Sequence, residues 1–130
     1  MFHRMILHMN STRRPVAIFL LLVLFVGVAP AFAANARSKA KAEVEFGISV
    51  AQRGLWREAI FRWKKAVEFD PTYAAAWNNL AIAYEHEGQF DSAREAYEKA
   101  LKLDANNTFI HQNYDFFKEI NDRANRRTTR

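Results

Sequence analysis

Outside residues 1–33 the chain has two histidines, His86 and His111, and an imidazole side chain can do acid–base chemistry or bind a metal ion. Either chemistry would need a second histidine or a carboxylate at a spacing that brings both groups to one site. Glu85 and Glu87 flank His86, but adjacent residues on a helix do not share a face. The sequence also has no cysteine, no glycine-rich phosphate loop and no Gly-x-Ser-x-Gly motif. We therefore expect no catalytic residue, no metal and no cofactor, and so a protein that is not an enzyme.

Both histidines fall on predicted helices, because apolar residues recur at helical spacing along most of the chain. The apolar stripes contain Val44, Ile48 and Ala51; Trp56, Ile60, Trp63 and Val67; Trp77, Leu80, Ala81 and Tyr84; Phe90, Ala93, Tyr97, Ala100 and Leu101; and Ile110, Tyr114, Phe117 and Ile120. Gly54, Pro71 and Gly88 lie between stripes, where helices end or begin. The pattern predicts an all-α chain with five amphipathic helices of about three turns each, joined by tight turns.

The stripes repeat at an offset of 34 residues. Gly54 corresponds to Gly88, and Asp70 corresponds to Asp104. The other matched pairs are Trp56 with Phe90, Ala59 with Ala93, Trp63 with Tyr97, Ala66 with Ala100 and Val67 with Leu101. A single fixed offset that aligns so many residue types indicates a repeat protein.

This period and these residue types resemble the tetratricopeptide repeat. Residues 74–107 match its pattern at Trp77, Leu80, Ala81, Tyr84, Gly88, Phe90, Ala93, Tyr97 and Ala100, and depart from it at Ala105, where proline is usual. Residues 40–73 match at Phe46, Gly47, Gly54, Trp56, Ala59, Trp63, Ala66 and Pro71, and depart at Glu43 and Val50. The resemblance implies a helix-turn-helix solenoid with two repeats, 40–73 and 74–107, followed by a C-terminal capping helix over 108–122.

Residues 1–33 are typical of a secretory signal peptide. Arg13 and Arg14 precede an apolar run, and the triplet Ala31-Phe32-Ala33 offers a cleavage site after Ala33. A retained membrane anchor is the alternative, since the segment approaches spanning length if it continues to Ala34. We expect a short linker over 34–39, a basic disordered tail over 123–130, and a location in the bacterial periplasm or on the periplasmic side of the inner membrane.

The formal net charge of +5 comes mainly from the predicted leader. Without residues 1–33 the chain has 16 basic and 14 acidic residues, which alternate along most of its length. A nucleic-acid interface would need basic residues clustered on one face. We therefore expect no nucleic-acid partner.

In the tetratricopeptide family, the first helices of the repeats line a concave groove that binds peptides or partner helices. The resemblance assigns this partner-binding role to Val44, Ile48, Gln52, Asn78, Asn79, Ile82, His86, Gln112, Asn113 and Phe116. Ile48, Ile82 and Phe116 are expected to form the floor, and the amides to bind a peptide backbone. Of the residues with which some family members clamp a C-terminal carboxylate, Asn79 alone has a match, so that ligand is not expected.

The predicted function is therefore that of a non-enzymatic scaffold or adaptor, exported to the cell envelope, whose partner is another protein or peptide. One alternative is a module that self-assembles into a homo-oligomer through its capping helix, where Phe116, Phe117 and Ile120 leave an apolar surface. A second alternative is a membrane-tethered accessory subunit of an envelope complex, which would require that the leader is retained.

Overall fold

A computed structural model describes the backbone of residues 15–128 and the side chains of residues 31–121 and 123. This part of the chain contains five α-helices and no strand. They are α1 (Pro15–Ala51), α2 (Trp56–Phe69), α3 (Ala74–His86), α4 (Phe90–Leu103) and α5 (Thr108–Thr128). The prediction of an all-α solenoid of paired helices is confirmed. The chain divides into two compact units, residues 1–33 and 34–130, and the second is described below.

The turn inside each helix pair is made by a glycine in the left-handed conformation. Gly54 between α1 and α2 has φ 78°, and Gly88 between α3 and α4 has φ 70°. In both turns the residue after the glycine donates its backbone N–H to a carbonyl five residues earlier, Leu55 to Val50 at 3.0 Å and Gln89 to Tyr84 at 2.8 Å. This bond satisfies carbonyls at the helix end, and glycine adopts the required φ without the steric cost of a Cβ.

Alanines stand where two helices cross closely. Ala59 and Ala66 on α2, and Ala93 and Ala100 on α4, have no exposed surface. Large rings fill the neighbouring space: Trp63 is buried on α2, and Tyr97 is buried on α4. Small and large residues therefore alternate, which allows close helix packing without voids.

The turn between α2 and α3 is held by Asp70. Its carboxylate accepts hydrogen bonds from the backbone N–H and the hydroxyl of Thr72, at 2.9 and 2.7 Å, and it is paired with the Arg37 guanidinium. Burial alone would raise the pKa of Asp70, but the bonds from Thr72 and Arg37 outweigh it, so the pKa lies below its ordinary value. The carboxylate therefore stays ionised and ties α1 to the turn that closes the first repeat.

The predicted linker and most of the predicted disordered tail lie within helices. Residues 34–39, expected to form a linker, lie within α1, and α5 continues to Thr128 through most of the predicted disordered tail. Neither segment contains glycine or proline, so nothing in their composition interrupts the adjoining helix. The first helix is therefore much longer than the three turns expected, and the predicted capping helix over 108–122 extends further.

The predicted leader lies largely outside the described residues. Of residues 1–33 the structure describes a helical backbone from Pro15 onward and the side chains of residues 31–33 only. Within the part of the chain that the structure describes, no helix combines the length and the apolar character needed to cross a membrane.

Candidate functional site

The first helix of each repeat and α5 lie side by side, so that α1, α3 and α5 form one surface. Residues of α1 and α3 line a common cavity, and the Asn113 side-chain N–H on α5 donates to the Asn78 carbonyl oxygen on α3 at 3.1 Å. The 34-residue period places Ile48, Ile82 and Phe116 at equivalent positions on these three helices. This surface, called the concave surface below, is the candidate partner-binding site.

Between α1 and α3 the concave surface contains a cavity of about 340 Å³, called the α1–α3 cavity below. Trp63, buried on α2, and Trp56, at the start of α2, contribute indole rings to it. The Trp63 Nε1–H donates to the Val44 carbonyl oxygen at 3.1 Å, which fixes the ring beneath α1. The cavity is lined by Ile48, Ala51, Gln52, Trp56, Trp63, Asn79 and Ile82.

Trp56 is also in contact with a histidine. The His86 imidazole stacks on the Trp56 indole with ring centroids 3.7 Å apart and planes within 6°. His86 ends α3 and Trp56 begins α2, so the stack joins the turns of the two repeats. His86 is therefore in contact with the wall of the α1–α3 cavity and pre-orients the Trp56 ring.

Between α3 and α5 the two helices are joined by a side-chain hydrogen bond. Asn78 is 2% exposed, and its carbonyl oxygen is used by Asn113. Phe117 is buried beneath this junction, with its ring centroid 5.5 Å from that of Tyr97. The exposed apolar residues of α5 are instead Phe109, Phe116 and Ile120.

A buried tyrosine and a glutamate lie behind this junction. The Tyr97 hydroxyl donates to Glu85 Oε2 at 3.1 Å. Burial, and then the nearby Glu85 charge and hydrogen bond, raise the pKa of Tyr97 well above its ordinary value. The phenol therefore stays neutral and acts as a fixed hydrogen-bond donor between α3 and α4.

The other candidate histidine has a structural partner. A ring nitrogen of His111 lies 2.8 Å from the carbonyl oxygen of Ala105, and since a carbonyl only accepts, the imidazole donates. This bond ties the start of α5 to the preceding turn. Among the described residues no group of three or more histidine, aspartate or glutamate side chains is placed to hold a metal ion.

The structure separates the predicted groove residues into three groups. Ile48, Gln52, Asn79 and Ile82 line the α1–α3 cavity, and His86 stacks on Trp56, which also lines it. Gln112 and Phe116 are exposed on α5, where Phe116 is 63% accessible, and Asn113 is half-buried. Val44 and Asn78 are interior, at 5% and 2% exposure, so neither offers its side chain to a partner.

Val44 and Asn78 were predicted to line the groove, but both are buried, and they hold equivalent positions. The two residues are 34 apart and hold the same position in their repeats. Asn78 bonds to Asn113 of α5, and Val44 belongs to the core cluster that also contains Trp63. Gln112 holds the equivalent position on α5 and is exposed. Two members of this row are therefore in the core, and the third is at the surface.

The prediction of an apolar surface on α5 also needs one correction. Phe117 was expected on that surface, but it is 1% exposed and packs against Tyr97 and Tyr114. Phe109 takes its place among the exposed rings. The spacing of Phe109, Phe116 and Ile120, seven and four residues apart, is a helical stripe that the sequence already contained.

Sequence reasoning also missed that Trp56 and Trp63 line the cavity. The sequence pattern places both in an apolar helical stripe, which does not show that they border open space. The chain thus has a solenoid of helical hairpins with a cavity between its first helices, which defines it as an α-helical repeat protein.

Comparison with known proteins identifies the repeat. Two family models match, "Tetratricopeptide repeat" at residues 74–107 and "TPR repeat" at residues 50–88. An uncharacterized protein of Methanocaldococcus jannaschii is 32% identical over 69 residues, which are 53% of this chain and 80% of that protein. The chain belongs to the tetratricopeptide repeat family.

Two further relatives are longer than the region they share. The type IV pilus assembly protein PilF of Pseudomonas aeruginosa is 35% identical over 74 residues, or 57% of this chain and 29% of that protein. The chloroplastic tetratricopeptide repeat domain-containing protein PYG7 of Arabidopsis thaliana is 33% identical over 73 residues, or 56% and 24%. The chain thus covers less than a third of the length of these two relatives.

Solved structures agree with the fold. The Pseudomonas aeruginosa PilF structure aligns with a TM-score of 0.65 at 31% identity, covering 68% of this chain and 40% of that one. The crystal structure of MamA aligns with a TM-score of 0.61 at 25% identity, covering 65% and 49%.

Proposed function

We propose that the protein is a non-enzymatic adaptor that binds a segment of another protein on its concave surface. The observation that carries this proposal is the α1–α3 cavity, because it is open, largely apolar and built from residues of two repeats. Stacked repeats characteristically use such extended concave surfaces for binding. The two histidines support the non-enzymatic part, since each has a structural contact, His86 with Trp56 and His111 with Ala105.

We place the adaptor in the bacterial cell envelope. The signal-peptide pattern of residues 1–33 supports export, and the similarity to a protein of type IV pilus assembly is consistent with an envelope role. Cleavage after Ala33 would give a periplasmic protein, whereas retention would give a protein anchored in the inner membrane. Mass spectrometry of the protein isolated from its host distinguishes these outcomes, because a mature N-terminus at Ala34 excludes the anchored form.

Capture of the native partner tests the binding site. The wild-type protein and the double variant Asn79→Ala/Ile48→Glu would be used as baits in the native envelope, with cross-linking to locate the contact. Both changed residues line the cavity, and Ile48 is 41% exposed, so the helices should form normally. We expect partner recovery to fall at least about tenfold while helical circular dichroism is unchanged. Equal recovery by the double variant would refute the site.

Self-assembly is the second candidate, and the exposed stripe on α5 favours it. Phe109 and Phe116 are 62% and 63% exposed, and Ile120 continues the stripe. Solvent-exposed apolar residues that form a contiguous stripe are typical of association surfaces. Sedimentation at several concentrations tests this function. A dimer that dissociates in Phe116→Glu supports it, and a monomer at all concentrations excludes it.

A further inference from the structure

One side of the first hairpin exposes phenylalanine rings that have cations beside them. Phe46 on α1 and Phe61 on α2 are 47% and 51% exposed. The Arg62 guanidinium lies 4.2 Å from the Phe46 ring centroid and 5.4 Å from that of Phe61. Lys65 Nζ is a second cation near Phe61, at 5.6 Å. These distances allow cation–π attraction, so positive charge and apolar surface occur together.

The same arrangement continues along both helices. Lys39 Nζ lies 5.7 Å from the ring centroid of Phe69, which is 39% exposed. The Glu43 carboxylate, one turn after Lys39, lies 3.5 Å from the Arg62 guanidinium and 3.6 Å from Lys65 Nζ. Spacings of three and four residues place such side chains on one side of a helix. The resulting surface, called the cation–aromatic face below, consists of Lys39, Glu43 and Phe46 on α1 and Phe61, Arg62, Lys65 and Phe69 on α2.

Packing within the repeat does not account for this face. The residue equivalent to Phe46 in the second repeat is Leu80, which is buried, whereas Phe46 is half-exposed. The residue equivalent to Phe61 is Glu95, so the repeat accepts a carboxylate where the first hairpin exposes a ring. Exposed apolar residues that form a contiguous patch are typical of interaction surfaces. The composition of the face therefore points to contact with something beyond the two repeats.

The net charge of the first hairpin is opposite to that of the second. Residues 34–73 contain 8 basic and 5 acidic side chains, a net charge of +3, whereas residues 74–107 contain 3 basic and 6 acidic side chains, a net charge of −3. On the face itself, Glu43 is the single acidic residue beside three basic ones. Glu58 bonds to Arg62 at 2.8 Å, but Lys39 has no carboxylate partner among the described residues. The face therefore complements an anionic surface.

Negative charge and an apolar layer occur together at the surface of an anionic phospholipid bilayer. Lysine and arginine side chains are attracted to the headgroups there, while phenylalanine rings enter the boundary between headgroups and acyl chains. An acidic protein segment would offer the charge but no comparable layer for three half-exposed rings.

We infer that the cation–aromatic face docks this protein on an anionic membrane surface, with its phenylalanine rings in the interfacial layer and its basic side chains at the lipid phosphates. This inference rests on the proposed envelope location, which brings a membrane within reach, and is independent of the α1–α3 cavity.

Because the chain has no cysteine, a single fluorescent label can locate the contact. Ala42, exposed on α1 between Lys39 and Phe46, is changed to cysteine and labelled with the polarity-sensitive dye NBD. Ala105→Cys, exposed in the turn before α5, is the matched control. The labelled full chains are mixed with vesicles of phosphatidylcholine and phosphatidylglycerol, or of phosphatidylcholine alone. Since the label reports burial at its own position, the comparison holds whether or not residues 1–33 attach the chain to a vesicle.

We expect a blue shift of emission, and quenching by nitroxide-labelled lipid, from the label at position 42 with the anionic vesicles only. The label at position 105 should show neither. Equal signals from the two labels, equal signals with the two kinds of vesicle, or no signal from position 42 would overturn the inference.

Ring variants of the chain labelled at position 42 test the apolar contribution. Phe61→Glu introduces the residue found at the equivalent position of the second repeat, so the helix should form normally. We expect it to weaken the apparent affinity for anionic vesicles at least about tenfold, since a carboxylate replaces a ring in the contact. Phe109→Glu is the control, because Phe109 is more exposed but has no cation over its ring among the described residues. Equal losses in the two variants would contradict docking through this face.

Lysine variants test the charge. Lys39→Gln should weaken vesicle binding about fivefold, the value expected for one basic residue near an anionic membrane surface. Lys102→Gln removes an exposed lysine of α4 and should leave binding unchanged. Binding of the wild type should also weaken as salt is added, because exposed charges are screened. Equal effects of the two variants, or binding that does not depend on salt, would refute the inferred chemistry.

An acidic polypeptide separates a membrane from an acidic protein as the partner of this face. Binding of poly-L-glutamate is measured by the fluorescence anisotropy of the label at position 42. If poly-L-glutamate binds and anionic vesicles do not, the face recognises acidic protein and the membrane inference is wrong.

The inference and the proposed function can fail separately. If anionic vesicles bind as described but the Asn79→Ala/Ile48→Glu double variant still captures the native partner, the membrane inference stands and the proposed binding site is wrong. If that double variant loses the partner but no label reports membrane contact, the adaptor function stands and the membrane inference is wrong.

Discussion

The two helical hairpins of this protein, α1–α2 and α3–α4, fill the space between their helices with different pairs of residues. In the first hairpin Gly47 faces Trp63, and in the second the equivalent residues are Ala81 and Tyr97. A Cβ added to Gly47 would clash with the Trp63 indole, with Cδ1 only 2.7 Å away. The larger ring is thus paired with the smaller residue, which shows that the repeat preserves the combined volume of the pair and not each residue type.

The turns that close the two repeats contain the same residue in different surroundings. Asp70 and Asp104 are the same residue at equivalent positions, yet Asp70 is buried and paired with Arg37, whereas Asp104 is exposed and bonds to the Asn107 side chain at 2.9 Å. Identity in sequence here does not mean an equal structural role. The residue that distinguishes the two turns is Arg37, which comes from a segment outside the repeat pattern.

The largest expected effect comes from removing the large ring of the first hairpin. Trp63→Ala should lower the free energy of unfolding by about 3–5 kcal/mol, because it deletes a buried ring and its bond to the Val44 carbonyl. Urea denaturation followed by circular dichroism measures this change. Tyr97→Ala is the matched variant and should cost somewhat less, since the deleted ring is smaller. A loss below about 1 kcal/mol for Trp63→Ala would mean that the first hairpin does not depend on this ring.

The next effect tests the pairing of sizes directly. Gly47→Ala should cost about 1–3 kcal/mol, because the added Cβ would displace the buried Trp63 ring, which is held by its hydrogen bond to the Val44 carbonyl. In a Trp63→Tyr background, which reproduces the pair found in the second hairpin, the same substitution should cost less than about 1 kcal/mol. A double-mutant cycle measures the coupling between the two sites. Strictly additive effects would show that the two residues do not constrain each other's size.

The third prediction concerns pH and separates the two closing turns. Since the pKa of Asp70 is lowered in the folded protein, its contribution is complete above the ordinary pKa of 3.8 and is lost as pH falls through the folded value. We expect Asp70→Asn to remove part of the acid sensitivity of unfolding below about pH 4, and to cost about 1–2 kcal/mol at neutral pH because a charged hydrogen bond to Arg37 is lost.

Asp104→Asn is the control for that prediction. Asp104 is exposed and has no arginine partner among the described ion pairs, so its substitution should leave the pH profile of unfolding close to that of the wild type. Melting temperatures recorded from pH 7 down to pH 3 give the comparison. Similar profiles for the two variants would contradict the distinct role of Asp70.

The smallest effect is expected where the hairpins are most alike. At Gly54 and Gly88 a Cβ would meet no atom within 4 Å, so only the left-handed backbone opposes substitution. Gly54→Ala and Gly88→Ala should each cost about 1 kcal/mol, equally within about 0.5 kcal/mol. Thermal unfolding checks both. A much larger cost at one site would show that the two turns are not equivalent.

The repeat architecture could be predicted from sequence because its determinants are local and periodic. The spacing of Gly54 and Gly88, and the alanines at helix crossings, depend on backbone conformation and helix contact that recur every 34 residues. The predicted linker over 34–39 lies within α1; no periodic signal marks this segment, but it contains no glycine or proline that would interrupt the helix.

The candidate site was predictable only in part. The row of Ile48, Ile82 and Phe116 follows from the period, and Ile48 and Ile82 do line the α1–α3 cavity. Val44 and Asn78 were placed on the surface, whereas the structure buries them, because their exposure depends on which helix stacks beside them. Pattern alone gives the face of a helix but not the neighbour that covers it.

The sequence by itself therefore determined the period, the helices and the turns, since these follow from backbone preferences and apolar spacing along the chain. The tertiary structure alone decided that Asn78 and Asn113 bond to each other while Asn79 stays available, and that Trp56 and Trp63 meet Ile48 and Ile82 around one cavity. These relations join residues that are distant in sequence, so they depend on how the helices stack, and no local pattern encodes them.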